Sequence, residues 1–448
     1  MTEKLAHEKV LRDPIHQFIH IQDQLILDLI NTSEFQRLRR VEQLGVTAFV
    51  FHGANHDRFG HSVGAYELAR RITDYFDQYY RSQTADDGLW NPEEQLVTVV
   101  AALLHDVGHG AFSHTFEHLF NTNHEAMTQA IITGDTEINQ VLQQQGPDFP
   151  NKVAAVIAKT YPNPQVVQLI SSQLDVDRMD YLLRDAYYTG AAYGEFDIDR
   201  IMRTMKPGKN GITFDISGMH AVEDYIVSRY QMYLQVYFHP VSRGMEVILE
   251  HLLGRVKELL TLGHQSSDLV IPLLAPVFEV DHELTVQEYL RLDDNLFLAA
   301  INSWQDYPDP ILADLSSRFI NRKPFKSIQI NEQSEPFIAE LEDIVKDAGF
   351  DPAYYTAQND AYDLPYDDYR PTDKKPRTQI DFVLNDGSHR ELSAVSALVA
   401  AIKGRASLDQ RFFFPKEMLN NGPDDLFSQV HQNFRSLIKN DTFIPGDH

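Results

Sequence analysis

Apolar positions in the first 200 residues recur at helical rather than strand spacing. Between residues 26 and 44 they fall at Ile26, Leu29, Ile30, Leu38, Val41 and Leu44, broadly one stripe, with Thr32 and Ser33 placed to divide it into two helices. A second stripe covers residues 63–80. Asp86, Asp87 and Gly88 then break the chain, and Pro92 is well placed to open a helix over residues 93–106. Leu96, Val97, Val99, Val100, Leu103 and Leu104 surround that helix, which marks it as buried. Helices are also expected over residues 124–133 and 153–161 and, as one long helix or two in succession, over 166–183. Pro162 and Pro164 punctuate the last two.

The texture changes near residue 204, where MKPGKNGITFDISG reads as a small hairpin with Pro207–Gly208 and Asn210–Gly211 as turn signals. Helices resume over 219–262, rich in Tyr on both sides of Arg229, and a helical pair is expected over 281–304. Residues 325–330, a helix over 336–348 and residues 379–384 form a β-α-β-like alternation, followed by a helix over 394–402. The acidic, Pro- and Tyr-rich stretch 354–376 reads as a loop excursion. The predicted class is mainly α, a helical core with a small C-terminal α+β region, divided as 1–204, 205–305 and 306–448.

Composition narrows the chemistry. With 448 residues and 43% apolar content the chain can bury a substantial core. It has no cysteine, which excludes disulfides, thiolate-held clusters and cysteine nucleophiles, so any metal must sit on imidazole and carboxylate. The net charge of -26, from 39 basic against 65 acidic side chains, repels polyanions at long range and makes nucleic-acid binding unexpected. A small phosphate pocket stays compatible, because a few local cations reverse the potential there. The first residues carry no signal-peptide pattern and no segment approaches a membrane span, so a cytoplasmic protein without membrane association is expected.

The informative segment is LLHDVGHGAFSHTFE, residues 103–117. His105 and Asp106 stand side by side at the end of an apolar helix, and His109, His114 and Glu117 follow around glycines that permit sharp turns. His61 in DRFGHS and Asp177 in DVDRMDY are candidate partners at long range. Two imidazoles and two carboxylates suit Fe, Mn, Mg, Zn, Co or Ni. On spacing alone the His105–Asp106 pair fits either a metal site or a structural hydrogen-bonded pair.

The motifs taken together resemble the HD-domain superfamily and, within it, the deoxynucleoside triphosphate triphosphohydrolases of dGTPase-like type. They are VLRDPIH (10–16), EFQRLRRVEQLG (34–45), HDRFGHS (56–62), HDVGHGAFSH (105–114), DVDRMDYLLRDAYYTG (175–190) and LDDNLF (292–297). The resemblance spans roughly residues 9–300. It implies an HD-domain helical core preceded by a regulatory segment within 1–204, and a pocket completed by 205–305. It further implies that His61, His105, Asp106 and Asp177 hold at least one divalent metal, and that water attack at the α-phosphorus of a dNTP releases intact tripolyphosphate. His109, His114 and His124 are then the proton-donor candidates, with His114 or His124 favoured and Glu117 and Glu125 orienting the rings. Arg58, Arg178 and Arg229 match phosphate-contacting positions. Gln43, Tyr181, Asp185 and Tyr237 match the sugar side, with Tyr237 closing the C2′ face against a ribose hydroxyl and broad base use expected, while Tyr233 stands in the pocket where a relative has histidine.

Members of this family assemble as tetramers with nucleotide effectors between subunits, and the matching positions are Lys9, Val10, Asn31, Gln36 and Arg39. Asn31 replaces an Asp that reads guanine in a mammalian relative. It offers one carbonyl acceptor instead of two carboxylate oxygens, which puts a GTP-specific effector in doubt. No SAM domain is expected, since residues 1–8 leave no room for one. The alternatives are an HD 5′-nucleotidase or phosphodiesterase, and a nucleotide-sensing regulator with a weak HD site.

Overall fold

Ahead of the first helical stripe, the computed structural model has a hairpin that helical periodicity does not reveal. Strand β1 (Lys4–Asp13) pairs antiparallel with β2 (Gln17–Asp23), and Gln17 takes a positive φ of 65° at the turn. The structure describes residues 3–84, 87–331, 334, 337–363, 366, 379–403, 407–420, 428–439 and 442–443. The side chains of residues 114, 118, 360–363, 407, 408, 439, 442 and 443 lie outside that description.

The divided stripe forms α1 (Gln24–Asn31) and α2 (Ser33–Arg37), separated where Thr32 caps α2 by accepting from the Phe35 amide. A 3-10 turn follows at Leu38–Arg40 and the helix stops there, short of residue 44, because Val41 is extended with ψ 110°. Helix α3 (Arg58–Tyr79) is capped by Asp57, whose carboxylate accepts from the Gly60 amide. Helix α4 (Gln95–Leu104) has every residue from Val97 to Leu104 buried, as expected for its all-round apolar sequence. Helices α5 (His114–Phe120), α6 (His124–Thr133), α7 (Glu137–Gln143) and α8 (Phe149–Ile157) follow. The 166–183 stretch is two helices, α9 (Pro164–Ile170) and α10 (Val176–Thr189), the second capped by Asp175. The central packing is α3 against α4 and α10.

Helix α11 (Ile198–Thr204) leads into the hairpin of β3 (Met205–Gly208) and β4 (Gly211–Asp215). Helix α12 (Met219–Met232) runs into a π-helical turn at Tyr233–Tyr237, and α13 (Pro240–Thr261) continues beyond it. The second apolar core forms around α13 and the helices Asp294–Trp304 and Pro310–Ile320.

The C-terminal β-α-β expectation is corrected. Strand β5 (Lys326–Gln329) and β7 (Asp381–Val383) belong to different sheets. Thr213 to Asp215 of β4 pair in parallel with Asp381 to Val383 of β7, whose other edge takes β8 (His389–Glu391), so this late segment completes the sheet of the early hairpin. Part of the presumed loop is strand: β6 (Ala357–Asp363) pairs antiparallel with β9 (Ser407–Phe414), which also pairs with β5. Most of the remainder of 354–376 lies outside the described residues. Among those described, no helix is long and apolar enough to cross a membrane.

One contact ties the helices together. Gly64 of α3 faces Asp180 and Arg184 of α10 so closely that a methyl group there would overlap both side chains. Replacing Gly64 with Ala should therefore separate α3 from α10 at a cost of about 1–3 kcal/mol, lowering the melting temperature by several degrees. An unchanged thermal melt would show that the two helices have slack there.

Candidate active site and metal centre

Three helices and one turn bring four distant side chains together. His61 comes from α3, His105 caps α4, Asp106 follows it, and Asp177 lies in the first turn of α10. His61 Nε2 is 3.1 Å from His105 Nε2 and 3.2 Å from Asp177 Oδ1, and His105 Nε2 is 3.5 Å from the same oxygen. Asp106 stands beside this trio, with Oδ1 3.3 Å from His105 Nε2 and Oδ2 3.7 Å from His61 Nε2. Ligand atoms about 2.1 Å from a shared cation lie about 3.0–3.5 Å apart, so the spacings among His61, His105 and Asp177 are those of one coordination shell, with Asp106 at its edge.

The chemistry of the donors supports that fit. His61 Nδ1 is 2.8 Å from Asp180 Oδ2, and a carboxylate only accepts, so the Nδ1 hydrogen points there. His105 Nδ1 likewise donates to the Ala102 carbonyl at 2.8 Å. Both rings thus turn Nε2 toward the same point, with the lone pair available to a cation. Burial opposes charge on His61, but hydrogen bonds to Asp177 and Asp180 raise its pKa to about 10. The negative field that retains a proton there is one that a divalent cation relieves.

Behind the cluster sits Asp180, fully buried and absent from the predicted site residues. It accepts from His16 Nε2 at 2.6 Å, His61 Nδ1 at 2.8 Å, and Arg184 Nε and Nη2 at 2.8 and 2.9 Å. Arg184 also donates to Asp13 at 2.9 Å. Burial opposes ionisation of Asp180, but Arg184 and the two histidines hold its pKa well below the usual carboxylate range. His16 and Asp13 belong to DPIH, so that motif orients the ring of His61 through Asp180.

A cavity of about 700 Å³ opens beside the cluster and is lined by Asp106 and Asp177. Of the predicted residues it also takes Arg58, His109, His124, Arg178, Gln43, Tyr181, Asp185, Tyr233 and Tyr237. Arg58 forms an ion pair with Asp106 through Nη1 and donates to Ser113 Oγ at 2.7 Å through Nη2. Phe112 and Ser113, both non-glycine, hold positive φ of 52° and 54°, backbone strain that sets Ser113 against Arg58. His109 Nε2 is 3.3 Å from Asp106, and its ring stacks 4.0 Å from that of His124. His124 Nδ1 is 2.6 Å from Glu117. Burial and Arg58 lower the pKa of His109 to about 3, whereas for His124 burial is outweighed by Glu117 and the pKa is raised. The two neighbouring imidazoles are therefore driven in opposite directions.

At the sugar-side candidates, Asp185 accepts from Tyr237 Oη at 2.7 Å and from His56 Nε2 at 2.8 Å. His56, which sequence reasoning missed, stacks on Tyr188 at 4.5 Å. The only signal for it was its place in HDRFGHS. Gln43 Oε1 is buried without a hydrogen-bond partner among the described residues.

Two predicted positions fall elsewhere. Glu125 is half exposed and paired with Lys159 at 2.8 Å, outside the cavity lining, because the first turn of α6 directs it to the surface. Arg229 is buried with its guanidinium 5.3 Å over the Tyr233 ring, so Tyr233 rather than Arg229 meets the cavity. The side chain of His114 lies outside the described residues. Sequence reasoning also missed Leu44, Gly45, Phe112, Ser113 and Thr115, which stand inside the quoted segments, and Val46, Thr47, Phe238, Arg243, Glu246 and Asn359, which carry no motif signal.

Replacing Asp180 with Asn would present an amide N–H or a weaker acceptor to His61 and release its tautomer. Divalent-metal affinity, read by equilibrium dialysis, should weaken by about 10–100-fold while far-UV circular dichroism keeps its helical signal. Undiminished affinity would show that the His61 ring needs no such partner.

Comparison with known proteins agrees with this geometry. Residues 58–185 match the HD domain family and residues 196–267 match the HD associated region. The uncharacterized protein YwfO of Bacillus subtilis is 49% identical over 420 residues, covering 94% of this chain and 95% of that protein. A deoxynucleoside triphosphate triphosphohydrolase SAMHD1 homolog of Dictyostelium discoideum is 29% identical over 272 residues, covering 58% of this chain and 52% of its own length. A crystal structure of a phosphohydrolase from Bacteroides thetaiotaomicron superposes with a TM-score of 0.78 at 26% identity, covering 92% of this chain and all of that one. HD domains bind divalent metals, and His61, His105 and Asp177 form such a candidate site here. The chain belongs to the HD-domain phosphohydrolases, in one family with YwfO and similar to the SAMHD1-type deoxynucleoside triphosphate triphosphohydrolases.

Proposed function

We propose that this protein hydrolyses deoxynucleoside triphosphates to a deoxynucleoside and tripolyphosphate. One observation carries the reading: the two carboxylates of the cation-type cluster, Arg58, Arg178 and a Tyr237–Asp185 wall share a single cavity of about 700 Å³, within the usual range for small-molecule sites. His61, His105, Asp106 and Asp177 would hold the metal. A divalent ion bound there offsets phosphate charge and makes a water more acidic.

The remaining work falls to the chain's own groups. Arg58 and Arg178 present guanidinium forks for the phosphate oxygens; Arg178 is itself steadied by Asp175 at 2.7 Å. The departing 5′ oxygen needs a proton, and His124 is the side chain equipped to give it, because Glu117 favours its charged form. His109, driven neutral, stacks beside it as a spacer and bonds Asp106. Gln43 Oε1 and the free lone pairs of Asp185 suit the 3′-hydroxyl, and Tyr237, pinned by Asp185, closes the C2′ side. These contacts grip phosphate and sugar, which favours use of several bases.

The reading extends to nucleotide regulation in a homotetramer. Lys9 and Val10 are exposed on β1, and Asn31 is exposed at the end of α1. Gln36 accepts from Arg39 Nε at 3.0 Å, and Arg39 lies 3.5 Å over the Phe59 ring. These groups offer an amide and cations to a nucleotide, with Asn31 favouring an effector other than GTP alone.

Purified protein given each dNTP, and ribonucleotide controls, under Mn, Mg, Co or Fe should release intact tripolyphosphate and a deoxynucleoside, resolved by chromatography. Orthophosphate as the product, or no turnover with any effector mixture, would overturn the proposal. Asp106→Ala and Asp177→Ala should each lose turnover by about a thousandfold or more with the fold retained. Glu117→Gln removes the charge that raises the His124 pKa. The proton donor then deprotonates at lower pH, so the basic limb of the kcat profile should move to lower pH. A stationary basic limb would assign the proton to another group.

A further inference from the structure

One wall of the cavity has no part in the reaction just described. Arg243 and Glu246 reach it from α13, Val46 and Thr47 from the 3-10 turn Gly45–Phe49, and Asn359 from β6. The cation-type cluster is built by other elements, α3, residues 105–106 and α10. Chain order relates the two ends. Gln43 belongs with Asp185 and Tyr237 at the sugar side, and the chain continues from it through Leu44 into the turn that packs on α13. The wall therefore adjoins the sugar-side residue Gln43 along the chain and is built by elements other than those that carry the cluster.

Its polar groups are unequally engaged. Arg243 is committed to the protein: Nε lies 3.0 Å and Nη2 2.7 Å from Asn359 Oδ1, and Nη1 lies 2.9 Å from Asp409. Glu246, by contrast, has no hydrogen bond or ion pair among the described residues, although it lines the cavity. Burial and the nearby charge of Glu250 raise its pKa to about 7. A half-buried carboxylate without donors is unfavourable, and a ligand that supplies N–H groups would satisfy it.

We propose that Glu246 contacts the nucleobase and biases the enzyme toward bases that offer adjacent N–H donors. This rests on the triphosphohydrolase reading and makes its base use graded rather than uniform. Guanine presents N1–H and its amino group side by side, matching two carboxylate oxygens. Adenine and cytosine each present an amino group. Thymine presents one N–H between two carbonyl oxygens, which a carboxylate repels.

The test uses the full chain with all four dNTPs at equal concentration in one reaction, above the Glu246 pKa, with the four deoxynucleosides quantified at early times. Every substrate then meets the same effector mixture, and product ratios report relative kcat/KM. Glu246→Gln keeps the size but replaces one acceptor with a donor, so the deoxyguanosine-to-thymidine ratio should fall by about tenfold from wild type. Glu246→Ala removes both acceptor and repulsion and should also lower the ratio. The ratio is internal to one tube and so is insensitive to how much of a variant is folded. Wild-type ratios in both variants would overturn the base contact while leaving the hydrolase reading intact. Failure of the wild type to release any deoxynucleoside with tripolyphosphate would instead overturn the reading beneath it.

Discussion

A buried carboxylate survives only if donors surround it, and Asp180 has four, from His16, His61 and Arg184. This satisfied charge is what the rest of the site depends on. It fixes which nitrogen of His61 faces the cluster, it clamps α10 to α3 across Gly64, and through Arg184 and Asp13 it ties the end of β1 to both. Removing a partner from such a network leaves a charge stranded in the interior, at a cost of about 3–5 kcal/mol. The same residues thus hold the helices together and aim the imidazole.

Much of the helical layer was legible because buried helices need apolar residues at fixed intervals, and α4 and α6 fall close to their predicted spans. His61, His105, Asp106 and Asp177 were named from motifs and the fold brings them together. What escaped was non-local. Strand β1 has a largely exposed surface and no apolar alternation to betray it, and β7 is a three-residue strand whose partner lies in the 211–215 segment. Glu125 and Arg229 show the limit of motif transfer: a motif supplies a residue type, while the helix phase decides whether it meets the cavity or a neighbouring side chain. Asp180 and His56 were missed for the opposite reason, since they act on other side chains and hold no distinctive spacing of their own.

Charge is distributed against the overall balance. The chain carries -26 formally, yet Arg58 and Arg178 line the cavity beside two imidazoles. An acidic exterior repels anions at long range, whereas guanidinium groups held inside a recess act over a few ångströms, a range shorter than the roughly 8–10 Å screening length in physiological salt. The opposite titration of His109 and His124 is a finer case of the same principle, two stacked rings tuned apart by Arg58 on one side and Glu117 on the other.

The grip of Arg243 on Asn359 and Asp409 has a consequence for how this protein can diversify. One rim of the reaction chamber is borrowed from polypeptide made more than a hundred residues after it. Changes in that late polypeptide can therefore reshape this wall of the cavity without touching the residues of the cation-type cluster. The outline of the recess and the assembly of the cluster are thus set by separate stretches of the chain.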